Sequence, residues 1–191
     1  MAIRIIEQAH FDPADYATIS AAFLVDRRLR LQPVDGGIGG LGLSIESVDP
    51  PYVKDYDLTL GESPAGWPER WDMSSWGILS AVNGTARVGG AVIAWNTPEI
   101  DLLDGRKDLA ILWDIRVHLD HRRAGIGSRL FSWATEWARR KGCSQMKIET
   151  QNVNVPACSF YSGQGCRLAA INPFAYRELP AEVQFLWLLD L

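Results

Sequence analysis

The sequence from residue 122 to residue 128 combines two arginines with two glycines between an apolar run and an apolar-periodic segment. It reads Arg122-Arg123-Ala124-Gly125-Ile126-Gly127-Ser128. Glycines at a strand-to-helix turn let the backbone approach a ligand closely, and the first amide N–H groups of the helix can then bind phosphate. Arginines at the entrance add charge-assisted hydrogen bonds. The pattern predicts a phosphate-binding turn, with an ordinary turn carrying solvated arginines as the alternative.

Hydrophobic periodicity predicts the elements that position this turn. The chain reads as strand 109–119, helix 125–141, strand 146–151, helix 155–163 and strands 167–171 and 183–189. The predicted buried face of helix 125–141 comprises Ile126, Leu130, Trp133, Ala134, Trp137 and Ala138. Basic residues in its last turn and Gly142 after it are typical helix-end signals.

The amino-terminal half is less regular. Residues 3–8 predict a strand, and Asp12-Pro13 predicts the start of a helix that reaches about Leu31. Residues 33–72 are rich in glycine and proline, which predicts loops and short elements. Asn83-Gly84 joins two apolar runs, 76–82 and 85–95, and predicts a hairpin. We therefore expect one α/β (α+β) domain over residues 1–191.

Two segments resemble one family. Val117-x-Leu119-x-x-Arg122-Arg123-x-Gly125-Ile126-Gly127 is similar to the acyl-CoA pyrophosphate loop of the GCN5-related N-acetyltransferase (GNAT) superfamily. Residues 149–165, with Asn154, Phe160 and Tyr161, resemble the strand and helix that follow that loop in the family. Residues 148–161 look most like those of streptothricin acetyltransferases and related bacterial proteins. The resemblance departs from the usual pattern at Leu119 and Cys166, which concern packing and turn shape.

The resemblance implies the GNAT fold, with a central mixed, mostly antiparallel sheet that is splayed at the acyl-CoA site and flanked by helices. It also implies that acetyl-CoA is the cofactor. The residues that it assigns to acetyl-CoA are Ile115, Arg116, Val117, Arg122, Arg123, Ala124, Gly125, Ile126, Gly127, Ser128, Asn154, Ala157 and Tyr161.

The resemblance places a general acid at Tyr161, which would protonate the departing thiolate. Glu149, on a strand that also carries the apolar Met146 and Ile148, is the candidate base for the attacking amine, and Asp114 on the preceding strand is the rival. A core aromatic and a structural carboxylate are the alternatives for Tyr161 and Glu149.

Charge is unevenly distributed along the chain, whose formal net charge is -4. Residues 116–147 carry eight basic side chains against Asp120 and Glu136, whereas residues 46–72 carry seven acidic ones against Lys54 and Arg70. An acidic segment with aromatic residues suits a cationic amine through Coulomb attraction and cation–π contacts, with a solvated loop as the alternative. The candidate substrate residues are Tyr56, Asp57, Trp71, Trp76 and Tyr176.

Other classes of function are disfavoured. The acidic balance argues against a general nucleic-acid binder, and no apolar run approaches the roughly 18 residues of a membrane span. The three cysteines show no metal or disulfide spacing, and His118 and His121 look like surface groups. The GxGxxG pattern at residues 37–42 lacks the strand and the helix that a dinucleotide site requires.

We therefore expect a cytoplasmic, bacterial-type, acetyl-CoA-dependent N-acetyltransferase that acts on a primary amine of a small cationic molecule, such as a streptothricin-like antibiotic or a polyamine-like compound. Antibiotic resistance would follow from the first of these substrates. Acetylation of a protein or peptide amine and an acyl-CoA-binding sensor without turnover are the alternatives. No metal, nucleic acid or membrane partner is expected. The apolar segment 185–189 suggests a homodimer.

Overall fold

The computed structural model describes residues 2–58 and 63–191. Its strands are β1 (Arg4–Glu7), β2 (Phe23–Pro33), β3 (Leu41–Lys54), β4 (Gly77–Asn83), β5 (Ala86–Trp95), β6 (Leu109–Val117), β7 (Gln145–Gln151), β8 (Arg167–Asn172) and β9 (Gln184–Asp190). Its helices are α1 (Pro13–Tyr16), α2 (Trp67–Arg70), α3 (Ile126–Arg140) and α4 (Val155–Gly163). Among the helices of the described residues, none is both long and apolar enough to cross a membrane.

The chain divides into two compact units. Unit 1 comprises Met1–Ala21, Asp55–Ile148 and Leu188–Leu191, and unit 2 comprises Ala22–Lys54 and Glu149–Trp187. The expectation of one domain stays a prediction.

Unit 1 is built on a mixed sheet with the strand order β1-β4-β5-β6-β7. β1 pairs with β4, β4 with β5 and β5 with β6, all antiparallel, and β6 pairs parallel with β7. Helix α3 packs on β4, β5 and β6. The predicted hairpin at Asn83-Gly84 and the succession of strands and helices from residue 109 onward are confirmed.

Two irregularities of β6 shape this sheet. The register with β5 passes from Val92↔Asp114 to Ile93↔Leu112, which leaves Trp113 as an extra, bulged residue. On the other side, the register with β7 runs only from Leu109↔Gln145 to Ile111↔Lys147, although β6 continues to Val117. The printed pairing with β7 therefore involves only the first three residues of β6.

The core of unit 1 is largely aromatic and aliphatic. One cluster consists of Tyr16, Trp67, Trp76, Ile78, Val92, Ala94, Ile100, Leu103, Leu109 and Ile111. The predicted face of α3 is buried except for Trp133, which is exposed. Successive residues lie about 100° apart around the axis of an α-helix. The buried residues of α3 therefore form an arc that is centred near Ala134 and extends to Phe131 and Thr135, and Trp133 lies at the edge of this arc.

Unit 2 contains the strand order β7-β9-β8, helix α4 and a separate two-stranded ribbon of β2 and β3. This ribbon corrects two predictions. The helix that begins at Pro13 ends at Tyr16 instead of reaching Leu31, and residues 41–54 form a strand instead of a loop. The capping prediction itself is confirmed, because the Asp12 carboxylate accepts from the amides of Ala14 and Asp15.

Cross-strand pairing explains why a ribbon forms here. Leu29 and Leu31 recur at a spacing of two and lie opposite Ile45 and Leu43, so the strand period prevails over the helix-start signal. Pro50 and Pro51, which cannot donate to a ladder, fall where the register passes from Arg27↔Ser47 to Val25↔Tyr52.

The apolar segment 185–189 lies within β9. Phe185 and Trp187 are buried and the residues between and after them are half-buried. Part of the segment therefore belongs to the core, and the homodimer that it suggested stays a prediction.

Candidate active site

The predicted phosphate-binding turn lies in unit 1 and precedes α3. Gly125 is the N-cap residue, with φ 77°, a left-handed conformation that favours glycine. No side chain caps the helix, and the ladder begins with the Arg129 amide donating to the Gly125 carbonyl at 3.1 Å. A Cβ atom on Gly125 would meet nothing within 4 Å, so the turn borders open space. An uncapped helix start beside open space fits the phosphates of acyl-CoA.

Arg122 of this turn is held differently from the basic residues further along the region. Arg122 donates from Nε to the Val117 carbonyl at 3.1 Å, and burial lowers its pKa from the ordinary value. Arg140 and Lys147, by contrast, form ion pairs with Glu7 and Asp104 at 2.8 and 2.6 Å. Part of the predicted local positive charge is thus compensated within unit 1.

Arg116 is the centre of a buried ionic network. Its side chain is 3% exposed and contacts Asp57 at 3.0 Å and Asp114 at 2.8 Å. It also donates to the Ile19 carbonyl at 2.9 Å. Burial by itself would lower the pKa of Arg116, but the charge of Asp114 raises it above its ordinary value. The Arg116 guanidinium is therefore engaged inside the protein, so only its backbone suits the predicted cofactor contact.

This network also fixes Asp57, a predicted substrate residue. The carboxylate accepts two hydrogen bonds from Arg116, at 3.0 and 3.2 Å, and one from the Ala21 amide at 3.4 Å. Other acids of the segment are engaged too: Glu46 binds Arg28, and Asp72 accepts from Ser74. Glu62 lies outside the described residues. The acidic segment is thus partly neutralised by its own contacts.

Asp114, the rival base, is the second carboxylate of the network. Its Oδ1 accepts from Tyr16 at 2.6 Å and from Arg116 Nε at 2.9 Å, and its Oδ2 accepts from Arg116 Nη2 at 2.8 Å. Both carboxylate oxygens of Asp114 are therefore already engaged by donors within unit 1. Burial, and then the charge of Asp114, raise the pKa of Tyr16 well above its ordinary value.

An aromatic group surrounds the bulged Trp113. Its ring centroid lies 5.9 Å from that of Trp71 and 5.2 Å from that of Trp76. Trp76 is buried and donates to Thr97 at 2.7 Å, which makes it a core residue and not the predicted substrate contact. Trp71 is half-buried, and its indole Nε1 has no hydrogen-bond partner within the described residues. Tyr56, also half-buried, lies in the 3₁₀ turn Tyr56–Leu58.

In unit 2, Glu149 on β7 is half-buried and is bound by a tyrosine. The Tyr176 hydroxyl donates to Glu149 Oε1 at 2.5 Å, and Gln151 Nε2 donates to the Tyr176 oxygen at 3.0 Å. Tyr176 was predicted as a substrate residue, and here it orients the candidate base. The Tyr176 phenol is a neutral donor, and among the described residues no salt bridge to Glu149 is formed.

Helix α4 carries the other predicted residues. The Asn154 side chain caps it by accepting from the Ala157 amide at 3.2 Å. Tyr161 is buried, with its ring centroid 5.2 Å from that of Phe160 in an edge-to-face arrangement. Its carbonyl accepts from the Cys166 amide at 3.0 Å, and burial raises the pKa of the Cys166 thiol to about 11.

Sequence reasoning missed Tyr16 and Gln151. Tyr16 reaches Asp114 across 98 residues of chain, so no local spacing could show the contact. Gly90 offers a structural trace of it, because a Cβ there would lie 2.5 Å from the Tyr16 ring. Gln151 is two residues after Glu149 on β7, so a period of two places both on one face of the strand.

The fold is thus a mixed α/β architecture with a mostly antiparallel sheet, in which a glycine-rich turn begins the long helix α3. The family model described as the acetyltransferase (GNAT) family matches residues 45–166. The chain therefore belongs to the GNAT family of acetyltransferases. The predicted family and fold class are confirmed.

Individual relatives agree with this assignment. Streptothricin acetyltransferase A of Bacillus subtilis is 32% identical over 80 residues, which cover 41% of this chain and 46% of that protein. The streptothricin acetyltransferase of Streptomyces lavendulae is 27% identical over 150 residues, 76% of this chain and 74% of that protein. The chain spans about half the length of the curated relatives from Bacillus subtilis and Escherichia coli.

Solved structures extend the likeness over the whole chain. A provisionally assigned streptothricin acetyltransferase from Bacillus anthracis, crystallised with acetyl coenzyme A, has a TM-score of 0.77 and 26% identity, with 100% of both chains covered. A nourseothricin acetyltransferase has a TM-score of 0.73 and 24% identity over 100% of this chain and 99% of that chain, which shows a common fold.

Proposed function

We propose that this protein is an acetyl-CoA-dependent N-acetyltransferase that acts on a primary amine of a small cationic molecule of the streptothricin type. The observation that carries the proposal is the open, uncapped turn at Gly125, in the segment that resembles the acyl-CoA pyrophosphate loop of the GNAT superfamily. The acetyl coenzyme A in the similar Bacillus anthracis crystal supports the choice of cofactor.

In this proposal the turn of residues 122–128 binds the phosphates of acetyl-CoA. The backbone of residues 115–117, on the part of β6 beyond its ladder with β7, offers hydrogen bonds to the pantetheine arm. A backbone N–H near Val117 would stabilise the negative charge that develops on the thioester oxygen. Asn154 and Ala157, at the start of α4, are the proposed contacts from unit 2.

Two side chains of unit 2 would move the protons. Glu149 accepts the proton of the attacking amine, directly or through one water molecule, and Tyr161 donates its hydroxyl proton to the sulfur that leaves. The new bond joins the amine nitrogen to the acetyl carbon, and the carbon–sulfur bond breaks. Glu149 suits the base role better than Asp114 because its partner is the neutral Tyr176 phenol, whereas Asp114 is bound by Arg116.

The cationic substrate class rests on the relatives and on the aromatic residues. The similar streptothricin acetyltransferases are named for a substrate of this class. In this chain we assign substrate contacts to Tyr56 and Trp71, whose unpartnered indole N–H within the described residues suits a ligand acceptor. The Asp57 carboxylate is held by Arg116. Asp57 would therefore contribute to the substrate site by fixing the segment around it. A cytoplasmic location, where acetyl-CoA is available, completes the proposal.

An amine panel tests the proposal. The purified protein is incubated with acetyl-CoA and streptothricin, aminoglycosides, polyamines or lysine peptides, and the release of coenzyme A thiol is measured. Cationic small molecules should react in preference to acidic or neutral amines. Equal rates on acidic amines would contradict the substrate class, a preference for lysine peptides would favour a protein substrate, and binding of acetyl-CoA without thiol release on any amine would favour a sensor.

The phosphate turn is tested separately by calorimetry. Replacing both Gly125 and Gly127 by Val should abolish acetyl-CoA binding. Valine cannot easily adopt the φ of 77° found at Gly125, and the valine side chains would fill the space beside the amides at the start of the helix. Wild-type affinity should fall as salt rises, since the contact is between phosphate and arginine. A Gly142→Val variant at the other end of α3, where φ is also left-handed, controls for strain alone.

A further inference from the structure

A chain of four polar groups runs through the interior of unit 2 and joins β9, β7 and α4. The Trp187 indole Nε1 donates to Thr150 Oγ1 at 2.9 Å. Thr150 Oγ1 and Cys158 Sγ lie 3.4 Å apart, and Cys158 Sγ donates to the Gln151 carbonyl at 3.8 Å. Thr150, Cys158 and Trp187 are only 4%, 3% and 7% exposed. Polar groups buried to this degree need hydrogen-bond partners, and here each one finds its partner within the chain.

The protons that are available fix the direction of this chain. The thiol of Cys158 has one proton, which it donates to the Gln151 carbonyl. The Thr150 hydroxyl must therefore be the donor to Cys158 Sγ, while its oxygen accepts the proton of the Trp187 indole. Thr150 is thus the only link between the indole and the thiol. Valine has nearly the same shape but no hydroxyl, so it would leave the buried indole N–H without this acceptor.

The chain holds the beginning of α4 against β7. Cys158 is the fourth residue of α4, whereas Thr150 and Gln151 are consecutive residues of β7. The Gln151 carbonyl also accepts from the amide of Asn154, the N-cap residue of α4, at 2.9 Å. Tyr161 follows Cys158 by three residues, a spacing that places both on the same side of the helix. The position of Tyr161 therefore depends on the contact between Cys158 and β7.

The same part of β7 also carries the candidate base. Gln151 Nε2 donates to the Tyr176 oxygen, and the Tyr176 hydroxyl donates to Glu149. Because successive residues of a strand point to opposite faces, Glu149 and Gln151 share one face of β7 and Thr150 lies on the other. Three consecutive residues of β7 thus hold the candidate base, the group that orients it and the anchor of the helix that carries the candidate acid.

We propose that Thr150 and Cys158 are positioning residues that fix the acid Tyr161 relative to the base Glu149. They act through α4 and not through contact with the substrate, and the inference rests on the proposed acetyltransferase activity. A displacement of about 1 Å in a reacting group can cost about 10²-fold in rate. Loosening the start of α4 should therefore lower kcat much more than it changes the KM for acetyl-CoA.

Steady-state kinetics with the amine that reacts fastest in the panel tests this role. Thr150→Val should lower kcat by about 10- to 100-fold and change the KM for acetyl-CoA by no more than about threefold. Thr150→Ser keeps the hydroxyl and should bring kcat back to within about threefold of the wild-type value. Cys158→Ala should lower kcat by a smaller factor, because the bond between Trp187 and Thr150 remains.

Cys166→Ala is the matched control. It removes another buried thiol, just after α4, that lies outside the chain of four groups. Its kcat should stay within about twofold of the wild-type value, even if urea unfolding shows that it is destabilised as much as Thr150→Val. The exchange of the Trp187 indole proton, followed by NMR, reports on the chain itself. This exchange should be at least about tenfold faster in Thr150→Val than in the wild type or in Cys166→Ala.

A folded Thr150→Val variant with the kcat of the wild type overturns the positioning role and leaves the proposed function intact. A loss of kcat in Thr150→Ser or Cys166→Ala as large as that in Thr150→Val also overturns it, because any change in this core would then lower activity. If Thr150→Val does not fold, the comparison of Cys158→Ala with Cys166→Ala decides in the same way. A wild type that releases no thiol with any amine contradicts the proposed function itself, and the positioning role with it.

Discussion

Two carboxylates on the parallel strands β6 and β7 differ sharply in their partners. Asp114 on β6, in unit 1, accepts hydrogen bonds from the buried Arg116 and from Tyr16. Glu149 on β7, in unit 2, accepts from the Tyr176 phenol. A carboxylate held by a guanidinium gains little from taking up a proton, because it would lose its ion pair. A carboxylate held by a neutral phenol can accept a proton and keep its orientation.

The two sites also differ in what they stabilise. The Asp114 network joins α1, the 3₁₀ turn Tyr56–Leu58 and β6 within unit 1 through one guanidinium. The Glu149 site is a short chain, Gln151 to Tyr176 to Glu149, that fixes one side chain. We infer that the first site is structural and the second is chemical. Five substitutions can contradict or refine this distinction.

The largest effect on activity is expected for Tyr161→Phe. The change keeps the buried ring and its contact with Phe160, and it removes the proton that the side chain can donate. A general acid typically contributes about 10²- to 10⁴-fold, so kcat should fall by about that factor while the affinity for acetyl-CoA changes little. Steady-state kinetics and calorimetry measure the two quantities. Tyr52→Phe, on the β2–β3 ribbon, is the control. If Tyr161→Phe turns over at the wild-type rate, Tyr161 is a core residue and not the general acid.

The comparison of the carboxylates is tested directly by Glu149→Gln and Asp114→Asn. Glu149→Gln should lower kcat/KM by about 10²-fold near neutral pH, and the loss should shrink at high pH, where more of the amine is already deprotonated. Asp114→Asn should keep most of the activity but destabilise the fold by up to about 3 kcal/mol, because the buried Arg116 loses the charge of one of its two half-buried carboxylate partners. Urea unfolding measures the second effect. A silent Glu149→Gln with a folded, inactive Asp114→Asn would place the base on β6.

A smaller effect is expected for Tyr176→Phe. Without the phenol hydroxyl Glu149 loses the hydrogen bond that orients its carboxylate, so the base should be positioned less well. kcat should therefore fall, by less than tenfold, while the KM for acetyl-CoA stays within twofold; steady-state kinetics measures both quantities. A merely structural role for Tyr176 would lower stability without lowering kcat, and Tyr52→Phe again serves as the control.

Much of this arrangement follows from the sequence, and the exceptions have clear causes. The turn at Gly125 and the strands and helices from residue 109 onward have strong local signals, namely glycines at turns, helix-capping residues and hydrophobic periodicity. The β2–β3 ribbon was missed because a good helix start at Asp12-Pro13 was extended too far, whereas long-range pairing of Leu29 and Leu31 decides the structure. The pairing of Asp57 with Arg116 could not be predicted, because the two residues are 59 positions apart and local charge counts ignore such contacts.

The smallest effect on activity is expected for Tyr16→Phe, which removes the hydroxyl that donates to Asp114 at 2.6 Å. Activity should stay within twofold if the Asp114 network is structural. Stability should fall by about 1.5–3 kcal/mol at pH 8, the usual contribution of a hydrogen bond to a charged group.

Burial, reinforced by Asp114, raises the pKa of folded Tyr16 well above the value of 10.0 expected in the unfolded chain. The folded state therefore holds this proton more tightly, and its contribution is complete below pH 10 and is lost as the pH rises further. Urea unfolding of the wild type and the variant at pH 8 and pH 10.5 should show a difference that narrows at the higher pH. A difference that stays constant would mean that Tyr16 ionises equally in both states, and a large loss of activity would move the Asp114 network from the structural to the chemical side of the comparison.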